Sequence, residues 1–489
     1  MERTKKHPEG LKILFFTEMW ERMSYYGMRG LLILFMTAGI SEGGLNFDNI
    51  SASAIYGIYA SSVYLATLPG GWIADRLIGQ QKAIFYGSVI IIFGHLSLVF
   101  PYTTSFYIGL FLIVLGTGLL KPNISAIVGE LYENNDALKD AGFTIFYMAI
   151  NLGSILGFFI CGYLGENIGW HYGFAASGIG MTLGLIQYSL YKKKLNGIGS
   201  SPAKSLEKET INRIRKTIPS LILLTLLIII FCLFGNINIE ASTIANSMTL
   251  FIVLIAISYF FYIFSFGNLS NIEKKKVSLI AVLFIGAALF WAGFDQAGTS
   301  FNIFAKEYTD RIIYGWEYPA SWLQILNPLF VVLLSPFIAY FWIFLGKRMI
   351  EPYLTVKFGI GLIFMSLGFF TITFGAYYAL EYGQTGAQWL LLTYLFHTIG
   401  ELTISPVGLS AISKLSPKRF LGQMMGVWFL ASSLGAIIAG ILSGEATQDG
   451  LKTMPALFSE IAWWSMLFGI IFIIITIPMK RFVSQDKLN

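Results

Sequence analysis

Ionisable and aromatic residues in one strongly apolar segment are spaced as on a single helix face. The segment FFTEMWERMSYYGMRG contains Glu18, Glu21, Arg22, Tyr25, Tyr26 and Arg29. At about 100° per residue these side chains share an arc of roughly 140°, so a helix presents them as one polar stripe. A cluster of ion pairs at a membrane surface is the alternative, but the stripe extends to Arg29, well inside the apolar segment. We therefore expect it to line a hydrated cavity.

Three further ionisable residues lie singly in long apolar segments. Lys121 precedes Pro122 in GTGLLKPNISAI, Asp295 lies in ALFWAGFDQAGTS, and Glu401 lies in FHTIGELTISPVG. A charged side chain at the centre of a membrane helix costs about 2.5–3.5 kcal/mol, so such residues persist where they face a protein interior or a wet cavity. The alternatives are snorkelling of the lysine and a structural ion pair for each carboxylate. We interpret His397, one turn before Glu401, as a packing residue.

These residue types suit proton-coupled binding of a zwitterion. Burial raises the pKa of a carboxyl group and a nearby cation lowers it, so a group balanced between the two can exchange a proton when the cation is drawn to a substrate. Arg22 and Lys121 offer positive charge to a carboxylate, and arginine can bind it through two parallel hydrogen bonds. Glu401 offers negative charge to an amino group.

The elements that must position these residues are membrane helices, as the composition indicates. The chain of 489 residues is 55% hydrophobic and 12% charged, which is about half the charged share of an average soluble domain. Its 16% aromatic residues and 50 glycines are typical of helices that pack closely in a bilayer. The net charge of +6 is dispersed along the chain, which argues against nucleic-acid binding.

Fourteen apolar segments are long enough to span a bilayer. They lie at roughly 11–38, 52–75, 82–101, 105–131, 141–164, 170–191, 217–237, 243–267, 277–305, 320–345, 353–380, 387–413, 420–443 and 456–479. The spans at 217–267 carry no buried charge and separate six helices from six. We therefore predict an all-α membrane protein with an N-terminal six-helix bundle (1–191), a basic linker with an inserted helical hairpin (192–276) and a C-terminal six-helix bundle (277–489). Two related halves around a midplane site are a common transporter plan.

The lysines and arginines predict the orientation of these spans. When the loops are assigned to alternating sides, three of the 33 basic residues fall opposite the termini and three lie inside helices. The three opposite the termini are Lys306, Arg311 and Lys452. The three inside helices are Arg22, Arg29 and Lys121. The positive-inside rule then places both termini in the cytoplasm. We expect the basic N-terminal tail to be retained, because it lacks a cleavage site.

Three motifs resemble those of a known transporter family. EMWERMSYYG (18–27) resembles the ExxERFxYYG signature of the proton-dependent oligopeptide transporter family, and FYMAINLGSILG (146–157) resembles its FYxxINxGS signature. GGWIADRLIGQQK is similar to a cytoplasmic loop motif of the wider major facilitator superfamily, with Asp75, Arg76 and Lys82 in its charged positions. The resemblance implies the major facilitator fold and proton-driven import of di- and tripeptides across a bacterial inner membrane.

The resemblance also implies a role for each matching residue. Arg22 and Lys121 would hold the peptide carboxylate, and Asn151, Asn327 and Glu401 would meet its amino group. The side-chain pockets would be formed by Tyr25, Tyr26, Tyr64, Trp291, Trp428 and Ser432. Glu18 and Glu21 would couple protons beside Arg22. The pairs Arg29 with Asp295 and Lys121 with Glu401 would act as gates.

The sequence departs from the family pattern at a few positions. Met23 replaces the usual phenylalanine, which predicts a packing change, and Asp295 stands where many bacterial members have glutamate. Animal members use a histidine on the second helix, but 52–75 contains none, so proton coupling is expected to depend on carboxylates.

Other functions on the same scaffold remain open. Proton-coupled transport of nitrate or another small metabolite is the alternative, although Glu401 favours a zwitterion. An intramembrane enzyme is not supported, because HExxH, serine–histidine and phosphate-loop patterns are missing. We expect no metal and no cofactor besides the proton gradient. The expected partners are the peptide, protons and the lipid bilayer, without nucleic acid, and the protein is expected to function as a monomer.

Overall fold

The structure, a computed structural model, describes residues 7–132, 136–202, 240–348, 350 and 352–479, together with isolated positions between 210 and 227. Most of the seventh predicted span, 217–237, and most of the basic linker lie outside these residues. The described chain is dominated by long helices, as an apolar sequence with widely spaced loops requires, since a membrane helix satisfies its backbone hydrogen bonds internally.

Six long helices precede the linker. They are α1 (Glu9–Thr37), α2 (Asn49–Ile73), α3 (Gln80–Val99), α4 (Thr103–Glu130), α5 (Asp136–Tyr163) and α6 (Trp170–Tyr191). Helices α2 and α5 each continue into a π-helical turn, Ala74–Ile78 and Leu164–Ile168, that ends at a glycine. The observed bounds agree with the predicted spans to within a few residues.

Eight further helices follow among the described residues. They are α7 (Ala241–Phe266), α8 (Asn271–Phe294), α9 (Ser300–Glu307), α10 (Leu326–Lys347), α11 (Leu354–Tyr382), α12 (Gln388–Leu415), α13 (Leu421–Thr447) and α14 (Met454–Ile474). Lys357, which we counted from the sequence with the basic residues on the side of the termini, lies in α11 with its ammonium group 4.9 Å from the centre of the Trp342 ring. Lys357 is buried, and the contact with an aromatic ring helps to explain why a lysine is tolerated there.

The predicted span 277–305 is not one continuous helix. Helix α8 ends at Phe294, Asp295–Gly298 forms a 3₁₀ turn, and α9 begins at Ser300. Gly298 lies against Tyr56, and a Cβ atom at this position would be 1.8 Å from the tyrosine hydroxyl. The tight contact requires glycine at the break. Asp295 therefore lies at the end of a helix and not midway along one.

Two short pairs of strands, which the sequence did not predict, order the loops of the second half. Strands β1 (Thr309–Asp310) and β4 (Thr385–Gly386) pair in parallel, whereas β2 (Ile312–Ile313) and β3 (Trp316–Glu317) form an antiparallel hairpin. The hairpin turns through Tyr314 and Gly315, both at positive φ.

The helical membrane architecture predicted from the sequence is confirmed. Ten helical segments among the described residues are long and apolar enough to cross a bilayer. Helices α1, α2 and α6 are not among them, and in α1 the polar stripe lowers the hydropathy.

The chain forms two compact units. The first comprises Met1–Asn46 and Ser62–Glu240, and the second comprises Phe47–Ser61 and Ala241–Asn489. The division passes through α2, whose N-terminal half belongs to the second unit. The three-part division predicted from the sequence stays a prediction.

Candidate functional site

A buried cluster of three charged residues lies on α1. Glu18, Glu21 and Arg22 are 3%, 1% and 2% exposed, respectively. The Arg22 Nε atom lies 3.1 Å from Glu18 Oε1 and also contacts Glu21 Oε2. Two carboxylates thus share one guanidinium. Because an uncompensated charge is costly away from water, this arrangement favours a second cation or a bound proton.

Lys121 on α4 supplies a second cation to this cluster. It lies close enough to Glu18 and Glu21 for direct electrostatic interaction, and its Nζ atom is 4.6 Å from the centre of the Tyr64 ring. The Arg22 guanidinium lies 5.3 Å from the Tyr25 ring in a similar arrangement. An aromatic face attracts a cation without neutralising it, so these rings hold the two cations in place while their charges remain available to carboxylates.

Glycines on α5 allow this helix to approach the charged face of α1. A Cβ atom at Gly153 would lie 2.3 Å from the Met19 carbonyl oxygen and 2.8 Å from the Arg22 Cβ atom. Asn151 is 5% exposed, and its amide donates to the Tyr147 carbonyl oxygen at 3.0 Å. The INLGS segment therefore allows α5 to pack closely against α1 at Arg22.

A second close helix crossing places Tyr64 beside Lys121. A Cβ atom at Gly70 of α2 would lie 2.0 Å from the Gly118 carbonyl oxygen of α4, and one at Gly118 would lie 2.6 Å from the Ala66 carbonyl oxygen. Larger residues would separate the two helices and increase the distance from the ring to the ammonium group.

A carboxylate site lies in the second unit. The Asn327 amide of α10 donates to Glu401 Oε2 at 2.9 Å and to Thr398 Oγ1 at 3.1 Å. Asp295 lies within electrostatic range of Glu401. Among the described residues of this unit, no lysine or arginine forms an ion pair with Glu401. Its negative charge is thus oriented by an amide and available to a cationic ligand.

Aromatic side chains of the second unit are held by close contacts with glycine. A Cβ atom at Gly408 would be 2.0 Å from the Trp428 ring, and one at Gly435 would be 2.4 Å from the Trp291 Cβ atom. Trp428 is 6% exposed and Ser432 is 3% exposed. These indoles are therefore packed in fixed positions and not free on a surface.

The structure brings together the predicted residues within each unit. In the first unit Glu18, Glu21, Arg22 and Lys121 form one electrostatic cluster, bordered by Tyr25 and Tyr64. Tyr26 contacts Tyr25 edge to face at 5.2 Å between ring centres. In the second unit Asn327 binds Glu401. The gating pairs of Arg29 with Asp295 and of Lys121 with Glu401, and the functional roles of all site residues, stay predictions.

Several contributors to the geometry were not identified from the sequence. Thr398, which shares the Asn327 amide, lies one turn before Glu401 on the same helix, and this spacing could have suggested it. Asp75 and Lys82 of the loop motif are exposed, and Arg76 is partly exposed.

His397 packs against aromatic rings. Its ring lies 5.6 Å from that of Phe301 and 5.1 Å from that of Phe369, and its Nε2 atom is 3.2 Å from the Met365 carbonyl oxygen. These contacts agree with our interpretation of it as a packing residue.

Comparisons with known proteins agree on one family. The sequence matches the POT family over residues 81–457. A peptide transporter of Yersinia enterocolitica subsp. palearctica is 40% identical, over 98% of this chain and 96% of its own length. A di-/tripeptide transporter of Lactococcus lactis subsp. cremoris is 35% identical, over 98% and 97%. The crystal structure of a mutant POT peptide transporter in complex with alafosfalin superposes with a TM-score of 0.89 and 35% identity, covering 98% of this chain and 97% of that one.

Proposed function

Because this chain belongs to the POT family, we propose that it is a proton-coupled symporter that imports di- and tripeptides by alternating access. It is a multi-pass membrane transporter with the major facilitator fold. We place it in the bacterial inner membrane with both termini in the cytoplasm, acting as a monomer and driven by the proton gradient without a cofactor.

The opposite charges of the two half-sites carry this proposal. The first unit holds Arg22 and Lys121 beside aromatic rings, whereas the second holds Glu401 oriented by the Asn327 amide. A peptide has an anionic and a cationic end. Its carboxylate would bind Arg22 and Lys121, and its amino group would bind Glu401 and Asn327. A simple anion such as nitrate has no cationic group that could bind Glu401.

The shared guanidinium suggests how proton movement is coupled to binding. Glu18 and Glu21 both contact Arg22. A peptide carboxylate that binds the Arg22 guanidinium competes with these two carboxylates for its positive charge. The glutamate that is displaced remains buried without its counter-charge, and binding a proton removes the cost of that charge. Substrate and proton are then bound together.

Aromatic residues suit a transporter that accepts many peptide side chains. Large rigid aromatic faces contact varied groups without demanding a specific hydrogen bond. The pocket residues that the family resemblance implies are Tyr25, Tyr26, Tyr64, Trp291 and Trp428. Specificity would then come from the charged peptide ends, which every short peptide shares. We assign Asn151 to the amino end and Ser432 to the pocket on the basis of the family resemblance.

Uptake by proteoliposomes tests the proposal. The purified chain is reconstituted, an inward proton gradient is imposed, and accumulation of labelled dialanine, N-acetyl-dialanine and nitrate is measured. We expect accumulation of dialanine that a protonophore abolishes, weaker uptake of the acetylated peptide because it lacks the amino charge, and no nitrate uptake. Nitrate accumulation without dialanine uptake would favour the alternative instead.

A further inference from the structure

Three exposed lysines lie at one end of the first unit. Lys82 lies in the first turn of α3, and Lys192 and Lys193 follow α6. The next residue, Lys194, pairs with Glu9, with 3.0 Å between its Nζ atom and Oε2. Lys82, Lys192 and Lys193 form no ion pair with the described residues, and we call these three the α3–α6 lysine cluster.

The cluster gathers where the ends of α3 and α6 meet. The Tyr188 hydroxyl near the end of α6 donates to the Gln81 carbonyl oxygen at 3.1 Å, which places Lys82 beside the last turn of α6. The Lys192 Nζ atom lies 5.5 Å from the centre of the Phe85 ring on α3. Each helix thus contributes positive charge to the same edge of the unit.

The chain that follows the lysines is fixed in place. The Gln81 backbone amide donates to the Gly199 carbonyl oxygen at 2.9 Å, and its side-chain amide donates to the Ile198 carbonyl oxygen at 2.7 Å. Leu195 is fully buried in a hydrophobic cluster with residues of α1, α3 and α4. The α3–α6 lysine cluster is therefore preorganised on a folded surface, which lowers the entropic cost of binding a ligand.

Exposed apolar residues lie along α3 and α6, on the helices that carry the α3–α6 lysine cluster. On α6, Ile186 is 50% exposed and Leu190 is 69% exposed, and on α3, Phe93 is 59% exposed. Tyr86 and Tyr191, each about half exposed, lie near the lysines. Aromatic residues between an apolar face and a basic end mark the boundary between the bilayer and water.

We infer that the α3–α6 lysine cluster binds the headgroup of an anionic phospholipid, whose acyl chains lie on the exposed faces of α3 and α6. The headgroup phosphate complements the charge of these ammonium groups, and the adjoining apolar surface favours a lipid over a free anion. Basic groups next to a membrane helix attract anionic headgroups. The cluster lies on the side that the positive-inside pattern assigns to the cytoplasm. This site is separate from the proposed peptide site.

Native mass spectrometry of the full chain tests the inference. The protein is titrated in detergent with phosphatidylglycerol or with zwitterionic phosphatidylcholine, and retained lipid is counted. We expect preferential retention of phosphatidylglycerol. Each lysine near an anionic headgroup contributes about fivefold in affinity, so the triple variant Lys82→Gln, Lys192→Gln, Lys193→Gln should lose about 100-fold if the contributions add.

A matched variant separates a specific site from general surface charge. The substitutions Lys274→Gln, Lys275→Gln and Lys276→Gln remove the same charge from the first turns of α8 in the second unit and should leave phosphatidylglycerol binding unchanged. Equal loss in both variants, or equal retention of the two lipids by the unaltered protein, would overturn the inference. So would displacement of the lipid by millimolar inorganic phosphate, which would indicate a free-anion site. Peptide uptake is measured separately, so failure of this inference leaves the proposed function unaffected.

Discussion

Replacing Arg22 by alanine tests whether this residue binds the peptide carboxylate. The side chain is 2% exposed and contacts Glu18 and Glu21, so its loss affects both substrate and fold. Arg22→Lys is the matched variant, because it keeps the positive charge but cannot make the two parallel hydrogen bonds of a guanidinium.

The structure indicates the size of the effect. A hydrogen bond to a charged group contributes about 1.5–3 kcal/mol, which corresponds to about 10- to 150-fold in the half-saturating concentration of a free dipeptide. A carboxyl-amidated dipeptide offers only a neutral acceptor, and a hydrogen bond to it contributes about 0.5–1.5 kcal/mol. Its half-saturating concentration should therefore rise by about 2- to 13-fold, less than that of the free peptide. Removing one partner of a buried ion pair destabilises a fold by about 3–5 kcal/mol. Adding Glu21→Gln to Arg22→Ala removes one of the two carboxylates left without a partner and should restore part of this stability.

Counterflow in proteoliposomes measures these quantities without a proton gradient. Concentration series of dialanine and alanyl-alanine amide are compared for the unaltered chain, Arg22→Ala, Arg22→Lys and the double variant, and thermal unfolding in detergent reports the folded fraction. We expect selective loss for the free peptide, smaller in the lysine variant. Equal weakening of both peptides in well-folded protein would refute the assignment of Arg22 to the carboxylate.

Three further substitutions probe separate parts of the site. Glu21→Gln should abolish gradient-driven accumulation but leave peptide counterflow partly intact, and accumulation at the unaltered rate would exclude Glu21 from proton coupling. Gly153→Ala should force α5 away from α1 and reduce both thermal stability and uptake, because its Cβ would lie 2.3 Å from the Met19 carbonyl oxygen. The control Gly422→Ala, which meets nothing within 4 Å, should change neither. Asn327→Leu removes the donor that holds Glu401 and should raise the half-saturating concentration of dialanine by about fivefold or more without affecting N-acetyl-dialanine; an equal effect on both would argue against an amino-group site.

The sequence was sufficient to predict the helices and the residues of chemical interest. Hydropathy located the spans, since the length of an apolar run is a local property that a bilayer selects. The i, i+3 and i+4 spacing from Glu18 to Arg29 predicted one polar face, and Arg22 indeed contacts Glu18 one turn away. Isolated carboxylates such as Glu401 were conspicuous because charge is rare in apolar segments.

The break at Asp295 shows where local patterns were insufficient. The predicted span 277–305 contains the polar run DQAGTSFN at 295–302. Because polar residues inside a membrane helix can also mark a functional site, this run did not by itself fix the end of α8. Helix α8 ends at Phe294, and the 3₁₀ turn that follows it ends at Gly298, which packs against the hydroxyl of Tyr56, a residue far away in the chain. A contact of this kind depends on the packing of other helices and leaves no periodic signal.

The sequence by itself determined that this chain spans a membrane, which helix faces are polar, and which few residues carry buried charge. Only the tertiary structure decided which of these residues meet: Lys121 with the α1 cluster and the Tyr64 ring, and Asn327 with Glu401, 74 residues away. The physical reason is that composition and periodicity fix the faces of each helix separately. The meeting of two faces depends on how closely helices cross, and here glycines such as Gly70, Gly118 and Gly153 set that distance by removing the side chains that would hold the backbones apart.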